Sequence, residues 1–528
     1  MKNIQLVIPM SGQGTRYQAA GYNQPKPLIP VSGIPMIERL LDVFPKHWPT
    51  TFILAENHRN TELPHFLSNL RTKGKQIFIG VHKEGPGFAL QQALSHLDLD
   101  APVLVSYCDY SMIWDAEKFE QLVMSSQCDA ALLSYRGFHA HYLSPTTYAY
   151  SKLEGDRVVD VKEKGSFTDN RENEYASAGA YYFKTGKILK DALEYQKKHN
   201  HILKGEMYTS LTVKALLEMN PKAEVRVFEI PYFFQWGTPE DLQIFEYWEK
   251  TYLQNKKINN CNTGFVEQLV LPMAGLGSRF KHLTEIQKPL LSINAKPMYE
   301  QALASMPKAG KTFIATLSSV AAKIKPLVSQ EIISLTHTPE GQALTTELTI
   351  KNIDPTKEVI VTACDHAIVL SQEKWRSFQK SPDCDAAIFT IKGFPGTVRK
   401  PLAFSYVATE AKDSSMFPLV DHVSLKKNIS TNPLMDHLLV GTFWFRSGKI
   451  LQTGIDLLKK KNQRNNGELY LDIIFDSLKE IGLKSRMISL DGYINWGDSD
   501  SFAEAAYWHE VFCGPQKLNG RKKYPGIE

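Results

Sequence analysis

Cysteine is scarce: six in 528 residues, with no CxxC among them. A disulfide framework, a zinc ribbon and a redox pair are all disfavoured by that count and spacing. Long apolar runs are missing as well. None approaches the roughly 18 residues a membrane helix needs. The apolar start Ile4–Met10 is too short for a signal peptide and leads into a glycine loop, not a cleavage site. The expectation is a cytoplasmic protein with no membrane partner. An excess of one charge is also missing, since 61 Lys+Arg face 56 Asp+Glu for a net +5. Without a concentrated basic stripe, nucleic acid is not an expected partner. The densest cluster, Lys459-Lys460-Lys461, reads as a helix end, where cations suit the dipole. The fifteen histidines show no HxxxH or HExxH spacing. Three DxD triplets, at Asp98, Asp383 and Asp498, lie in a polar linker, at a strand start and at a position unpaired in the other half, so none reads as a metal motif.

What is present is an internal repeat. Leu6–Tyr17 reads LVIPMSGQGTRY and Leu269–Phe280 reads LVLPMAGLGSRF, identical at seven of twelve positions. The matches continue in order. Lys26-Pro27-Leu28 finds Lys288-Pro289-Leu290, Glu84-Gly85 finds Glu340-Gly341, and Cys108-Asp109 finds Cys364-Asp365. Cys128–Phe138 finds Cys384–Phe394, Gly179 finds Gly441, Gly205-Glu206 finds Gly467-Glu468, and Trp236-Gly237 finds Trp496-Gly497. Two domains follow, over 1–252 and 267–528, joined by a polar linker at 253–266. Four of the six cysteines fall at equivalent repeat positions and read as small buried fillers.

In the first half, Ile4–Pro9, Thr51–Ala55, Gln76–Val81 and Pro102–Ser106 read as buried strands. Pro35–Phe44, Gly87–Leu97 and Glu117–Ser126 read as helices between or after them. That alternation predicts an α/β fold with a mostly parallel sheet and helices on both faces. The first strand leads into Gly12-Gln13-Gly14-Thr15-Arg16. Glycines there let backbone N–H groups approach an anion, at the strand ends where open α/β sheets bind ligands. Walker A is ruled out by the missing GK[ST]. The dinucleotide fingerprint is ruled out by Tyr17 and Phe280 where a third small residue belongs.

A GxG[TS]R loop after a strand, with Lys-Pro some ten residues on and the whole set repeated, resembles the sugar-1-phosphate nucleotidyltransferases. Their domain has the Rossmann-like nucleotide-diphospho-sugar transferase (GT-A type) fold. The resemblance covers nearly the whole chain and implies two such domains in tandem. It implies that Gly12, Gly14, Thr15, Arg16 and Lys26 hold a triphosphate in the first half. Gly275, Gly277, Ser278, Arg279 and Lys288 would do so in the second. Arg supplies a fixed donor fork and Lys a mobile point charge, both suited to pyrophosphate leaving. Asp109 and Asp365, each ending an apolar strand, would bind Mg²⁺. A second Asp is expected in a later DxGT segment, but Gln235 and Asn495 stand there.

The resemblance further places Gly85 and Gly87 in a base-recognition loop, with Gly341 in a shorter second copy. Val161-Lys162-Glu163-Lys164 matches an acceptor-contacting V-x-E-K segment. Its counterpart, Val423-Ser424-Leu425-Lys426, keeps the lysine and loses the glutamate. Gly179 and Gly441, ahead of aromatic strands, would admit the acceptor, and Glu206 and Glu468 would meet sugar hydroxyls or cap a helix. The QWGTPEDL segment resembles endings of nucleotidyltransferases from bacterial surface-polysaccharide loci. The implied partners are an NTP and a phosphorylated small molecule; the oligomeric state is not legible. The first half reads as the surer catalyst, the second as another transferase or a degenerate copy. Competing readings are a cytidylyltransferase acting on a non-sugar phosphate such as phosphocholine, a glycosyltransferase on the same fold, and a non-catalytic nucleotide-binding protein.

Overall fold

A computed structural model describes residues 2–514 except 71–73, 126–127, 145–147, 255–263, 282–283, 326–329, 382 and 466. Chain contacts separate two units, one running up to Glu246 and one spanning Tyr247–Cys513. The division falls earlier than the expected domain end at 252. Trp248 bonds Glu504 and Tyr252 bonds the Ala505 carbonyl, both within the second unit. Most of the expected linker, 255–263, lies outside the described residues, and Phe265 already belongs to a strand.

The first unit contains β1 (Gln5–Pro9), β2 (Thr50–Ala55), β3 (Lys75–Ile79), β4 (Val103–Ser106), β5 (Tyr110–Ile113), β6 (Ala130–Tyr135), β7 (Tyr150–Glu154), β8 (Arg157–Lys162), β9 (Tyr175–Phe183), β10 (Val225–Glu229) and β11 (Tyr232–Gln235). Nine of them form one sheet in the order β3-β2-β1-β4-β9-β6-β10-β8-β7. Successive residues of β1 face opposite sides. Leu6 and Ile8 pack with Ile37 and Leu40 on one side. Val7 packs with Ala89, Leu90 and Leu193 on the other. Helices therefore cover both faces, as the alternation of elements predicts.

One expectation gains a detail. The strands β3-β2-β1-β4 are parallel, as are β6 and β10, whereas β9 runs antiparallel to both β4 and β6, so the sheet is mixed. The strand–helix alternation that justified a parallel sheet holds only through β4. Gly179 also sits inside β9 and not ahead of it. Its φ of +82° lies at a register shift between Ser177 and Ala180, a bulge that glycine allows.

The second unit repeats the plan with β12 (Phe265–Met273), β13 (Lys308–Leu317), β14 (Glu331–Leu335), β15 (Val359–Val361), β16 (His366–Val369), β17 (Ala386–Ile391), β18 (Tyr406–Thr409), β19 (Val420–Ser424), β20 (His437–Phe445), β21 (Ser485–Ser489) and β22 (Gly492–Asn495). The path β14-β13-β12-β15-β20-β17-β21 matches the first sheet, with β18 joining β19 to β20. Here too the central β20 is antiparallel to its neighbours and carries Gly441 at φ +77°.

Outside each main sheet lies a two-stranded ribbon, and it positions the site. β5 pairs with β11, Tyr110 opposite Gln235, which draws Asp109 against Trp236-Gly237. β16 pairs with β22, His366 opposite Asn495, and does the same for Asp365 and Trp496-Gly497. Main-chain bonds close each junction, from Trp236 N–H to Asp109 and from Trp496 N–H to Asp365.

Candidate active site

In the first unit the glycine loop, the Lys-Pro-Leu turn and the end of β4 converge on one cavity of about 550 Å³. Gly14 has φ +65° and faces Lys26. A Cβ on it would sit 3.1 Å from the Lys26 Cβ. The second unit is tighter, since Gly277, at φ +60°, would bring a Cβ to 2.7 Å from that of Lys288. This packing explains why the GxG loop and the distant lysine travel together in the sequence. Only a residue without Cβ takes the left-handed turn and lets the lysine lie across it.

The lysine bridges the two walls. Lys26 Nζ donates to Asp109 Oδ2 at 2.6 Å and to the Gly237 carbonyl at 3.2 Å. Lys288 Nζ donates to Asp365 Oδ2 at 2.5 Å and to the Gly497 carbonyl at 3.1 Å. Exposure matches too, with side chains 16% and 28% exposed in the first pair and 15% and 27% in the second. Burial pushes the Asp109 carboxyl up, but the Lys26 ammonium, with Arg16 adding charge, holds it below the usual carboxylate range. Burial likewise opposes ionisation of Asp365, and the Lys288 ammonium, with His366 beside it, holds it below the usual carboxylate range. Both carboxylates are therefore ionised at neutral pH.

Arg16 and Thr15 are exposed on the cavity wall beside Gly12. Tyr17 lies beneath, its hydroxyl donating to the Trp236 and Thr238 carbonyls at 2.7 and 2.9 Å. Phe280 replaces it in the second unit and keeps only the ring under the lysine, which lies 5.7 Å from the ring centre in both units.

The expected base loop is tied to the Gly-Glu segment. Met207 N–H donates to the Glu84 carbonyl and Gly87 N–H to the Met207 carbonyl, both at 2.7 Å. In the second unit Leu469 N–H donates to Glu340 at 3.0 Å and Ala343 N–H to Leu469 at 3.2 Å. This places Gly85 and Glu206 on the cavity wall and Gly341 against Leu469. Neither Glu206 nor Glu468 caps a helix; each forms a short bridge, to Leu203 and to Asn465. Glu163 accepts from the Ser210 hydroxyl at 2.5 Å, and burial raises its carboxyl. Lys164 and Lys426 both hold positive φ, +55° and +53°.

Several neighbours escaped the sequence reading. Tyr208 bonds the Lys164 ammonium, and its ring lies 4.5 Å beneath it. Tyr470 lies 5.5 Å beneath Lys426. The repeated G-E-x-Y tetrad carried that signal, but the reading stopped at its first two letters. Tyr107 lines the first cavity, where the repeat has Ala363. Asp241 was also missed. Its carboxyl and that of Asp109 flank Gly237, at 3.7 and 3.6 Å from where a Cβ would be. Gln235 does not face the cavity as a free amide; it donates to Asp241. In the second unit the Asn495 amide oxygen and the Asp365 carboxylate flank Gly497 in the same way, at 3.0 and 3.5 Å.

Comparison with known proteins bears on this cavity. Residues 6–162 match the family model described as MobA-like NTP transferase domain. The stretch contains the glycine loop, Lys26, Asp109 and the base loop. The chain is 24% identical over 231 residues to the bifunctional protein GlmU of Pseudoalteromonas atlantica, covering 42% of this chain and 48% of that one. It is 30% identical over 101 residues to GlmU of Methanococcus aeolicus, covering 19% and 24%. The chain thus spans less than half the length of these curated relatives. Among solved structures, a nucleoside-diphosphate-sugar pyrophosphorylase from Vibrio cholerae overlays 46% of this chain and 99% of its own, at 19% identity and TM-score 0.39. The inositol-1-phosphate CTP transferase of T. maritima overlays 46% and 94%, at 12% identity and TM-score 0.37. The chain is similar to nucleotidyltransferases of the nucleotide-sugar type. Among the described residues, no helix is long and apolar enough to cross a membrane.

Proposed function

We propose that the chain joins an NTP and a sugar 1-phosphate to give an NDP-sugar and pyrophosphate, in the supply of surface-polysaccharide precursors. The observation that carries this reading is the duplicated Lys–Asp bridge beside a glycine loop and an exposed arginine. It gathers two cations and one ionised carboxylate at a strand end, which in the first unit opens onto a cavity.

The acceptor phosphate oxygen attacks the α-phosphorus, and the bond from that phosphorus to the β-phosphate bridging oxygen breaks. The nucleophile is already ionised at neutral pH, so no general base is required. Arg16 and Lys26 neutralise the departing pyrophosphate, and the loop amides near Gly12 and Gly14 hold it in line. Arg279 and Lys288 take those roles in the second unit.

Mg²⁺ suits such a site because it binds through one or two carboxylates together with phosphate oxygens. Among the described residues, no group of three or more His, Cys, Asp or Glu forms a cage for a metal on its own. The ionised Asp109, with Asp241 across Gly237, would hold the ion in the first unit. Asp365, with the Asn495 amide oxygen, would hold it in the second. Bound there, it would supply charge neutralisation at the phosphates.

The test is pyrophosphate release by the full chain with MgCl₂, four NTPs and a panel of sugar 1-phosphates plus phosphocholine. Release with one NTP–sugar 1-phosphate pair supports the reading. Release with phosphocholine alone replaces the acceptor class. Binding of NTP without turnover across the whole panel overturns it.

A further inference from the structure

The second unit lacks the Glu163 carboxylate because Leu425 occupies that position. The structure nevertheless places an acid at the same corner, from another element. In the first unit Glu163 follows β8 and accepts from Ser210, on the helix Thr209–Met219. The second unit carries Asp472 where the first has Ser210, counted from the shared G-E-x-Y tetrad. Asp472 Oδ2 accepts from the Ser405 hydroxyl at 2.7 Å. Ser405 precedes β18 where Ala149 precedes β7, and the register confirms the match. Tyr150 lies opposite Lys162 and Ala176, and Tyr406 lies opposite Ser424 and Leu438.

The acid has thus moved onto the helix and its hydroxyl partner onto a neighbouring strand. A Glu just after β8 with a helix Ser in one unit becomes a helix Asp with a Ser just before β18 in the other. The cation at the corner is kept. Lys164 and Lys426 share a left-handed backbone and a tyrosine ring beneath the ammonium, with Lys164 bonded to Tyr208 and Lys426 donating to the Ala403 carbonyl at 2.6 Å. Lys426 lies within the electrostatic reach of Asp472, Glu468, Asp365 and Arg279. The corner therefore adjoins the Lys288–Asp365 bridge, and in the first unit Glu163 lies within the reach of Lys164, Glu206 and Tyr107.

We propose that the second unit is a complete transfer site whose acceptor-binding carboxylate is Asp472. It accepts a hydrogen bond from an acceptor hydroxyl while Lys426 meets the acceptor phosphate. The inference rests on the transferase reading above and rejects the degenerate-copy alternative. The acceptor need not be the same in both units. The first has the Tyr107 ring 3.0 Å from the Cβ direction of Gly179, whereas the nearest atom to that of Gly441 is His366 Cε1 at 3.8 Å.

The test uses the full chain with the first unit silenced by Lys26→Ala. Its pyrophosphate release is measured with MgCl₂, four NTPs, and glucose 1-phosphate, mannose 1-phosphate, N-acetylglucosamine 1-phosphate and phosphocholine. For the productive pair, Asp472→Asn raises the acceptor KM by about 10–100-fold, the loss expected for a hydrogen bond to a charged group. The NTP KM stays unchanged. Leu425→Glu combined with Asp472→Ser rebuilds the first unit's arrangement and restores the acceptor KM. That double variant also decides the case if Asp472→Asn does not fold. An unchanged acceptor KM, or equal losses for both substrates without rescue, makes Asp472 a structural residue and overturns the proposal. Turnover by the wild type but none by the Lys26→Ala chain overturns it and leaves the transferase reading standing. Silence of the wild type with every pair overturns that reading itself.

Discussion

Lys26 meets Asp109 at 2.6 Å and Lys288 meets Asp365 at 2.5 Å, each also reaching a glycine carbonyl. Around that shared bridge the two units place their other acids differently. One exchange is Glu163–Ser210 against Ser405–Asp472. A second lies at the start of the helix after the Trp-Gly pair. In the first unit Thr238 and Asp241 bond each other's backbone N–H, a reciprocal cap with the acid inside the helix. In the second, Asp498 is the cap, accepting from the N–H of Asp500 and Ser501, and the hydroxyl is inside. The bridge is fixed because three elements must meet there. Neighbouring charges move because either of two packed elements can deliver them to one point.

The sharpest way to break this comparison is to remove the strand-end acid from each unit in turn. Asp109→Ala and Asp365→Ala should each lower pyrophosphate release from their own unit by about 10²–10³-fold, the usual scale for one preorganised electrostatic contact. Their effects should be separable when each unit is assayed with its own acceptor. A chain whose total release is indifferent to Asp365→Ala has one working site, and the resemblance between the bridges is then inherited packing.

A smaller effect separates the base loops. Gly341 has φ +108°, and a Cβ there would lie 2.6 Å from the Leu469 carbonyl oxygen. Gly85, at φ +85°, would bring one to 3.0 Å from that of Met207. Both alanine variants should be destabilised by about 1–3 kcal/mol, the cost of a strained backbone position, with Gly341→Ala the worse. Urea unfolding of the full chain measures this. Equal midpoints for the two variants would mean that the second loop relaxes as easily as the first.

The bridge was legible in the sequence and the exchanged acids were not, for a physical reason. Gly14, Lys26 and Asp109 each recur in a short string of like residues, so comparing the halves finds them directly. Glu163 and Ser210 lie 47 positions apart, and Ser405 and Asp472 lie 67 apart. Each exchange therefore reads as two unrelated substitutions. The leucine at 425 looked like a loss because the compensating aspartate sits in another segment. Asp241 was hidden in the same way, since its pairing across Gly237 depends on β5 meeting β11. The parallel strands β1 to β4 followed from apolar runs alternating with helices. The direction of β9 did not, because an apolar run buried on both faces carries no mark of its sense.

The smallest effect concerns that hidden acid, and pH exposes it. Burial, with the Asp109 charge adding to it, raises the Asp241 carboxyl to about 6, while bonds from Thr238 and Gln235 partly oppose the shift. In the unfolded chain it titrates near 3.9. Below about pH 4 it is protonated in both states and has no effect on stability. Between about 4 and 6 the folded chain keeps a proton that the unfolded chain has released, so stability falls as pH rises, and the loss is complete above the folded value. Ser501 stands at this position in the second unit and cannot titrate. Asp241→Asn should therefore gain about 1–2 kcal/mol on the wild type between pH 4 and pH 7, in chelator-treated buffer without Mg²⁺. Thermal or urea unfolding at the two pH values measures the gain, and a difference that is flat with pH would show that Asp241 is solvated and not pressed against Asp109. Adding Mg²⁺ at pH 7 should then restore part of the wild type's lost stability and none of the variant's, because a cation between the two carboxylates favours the ionised form that burial penalises.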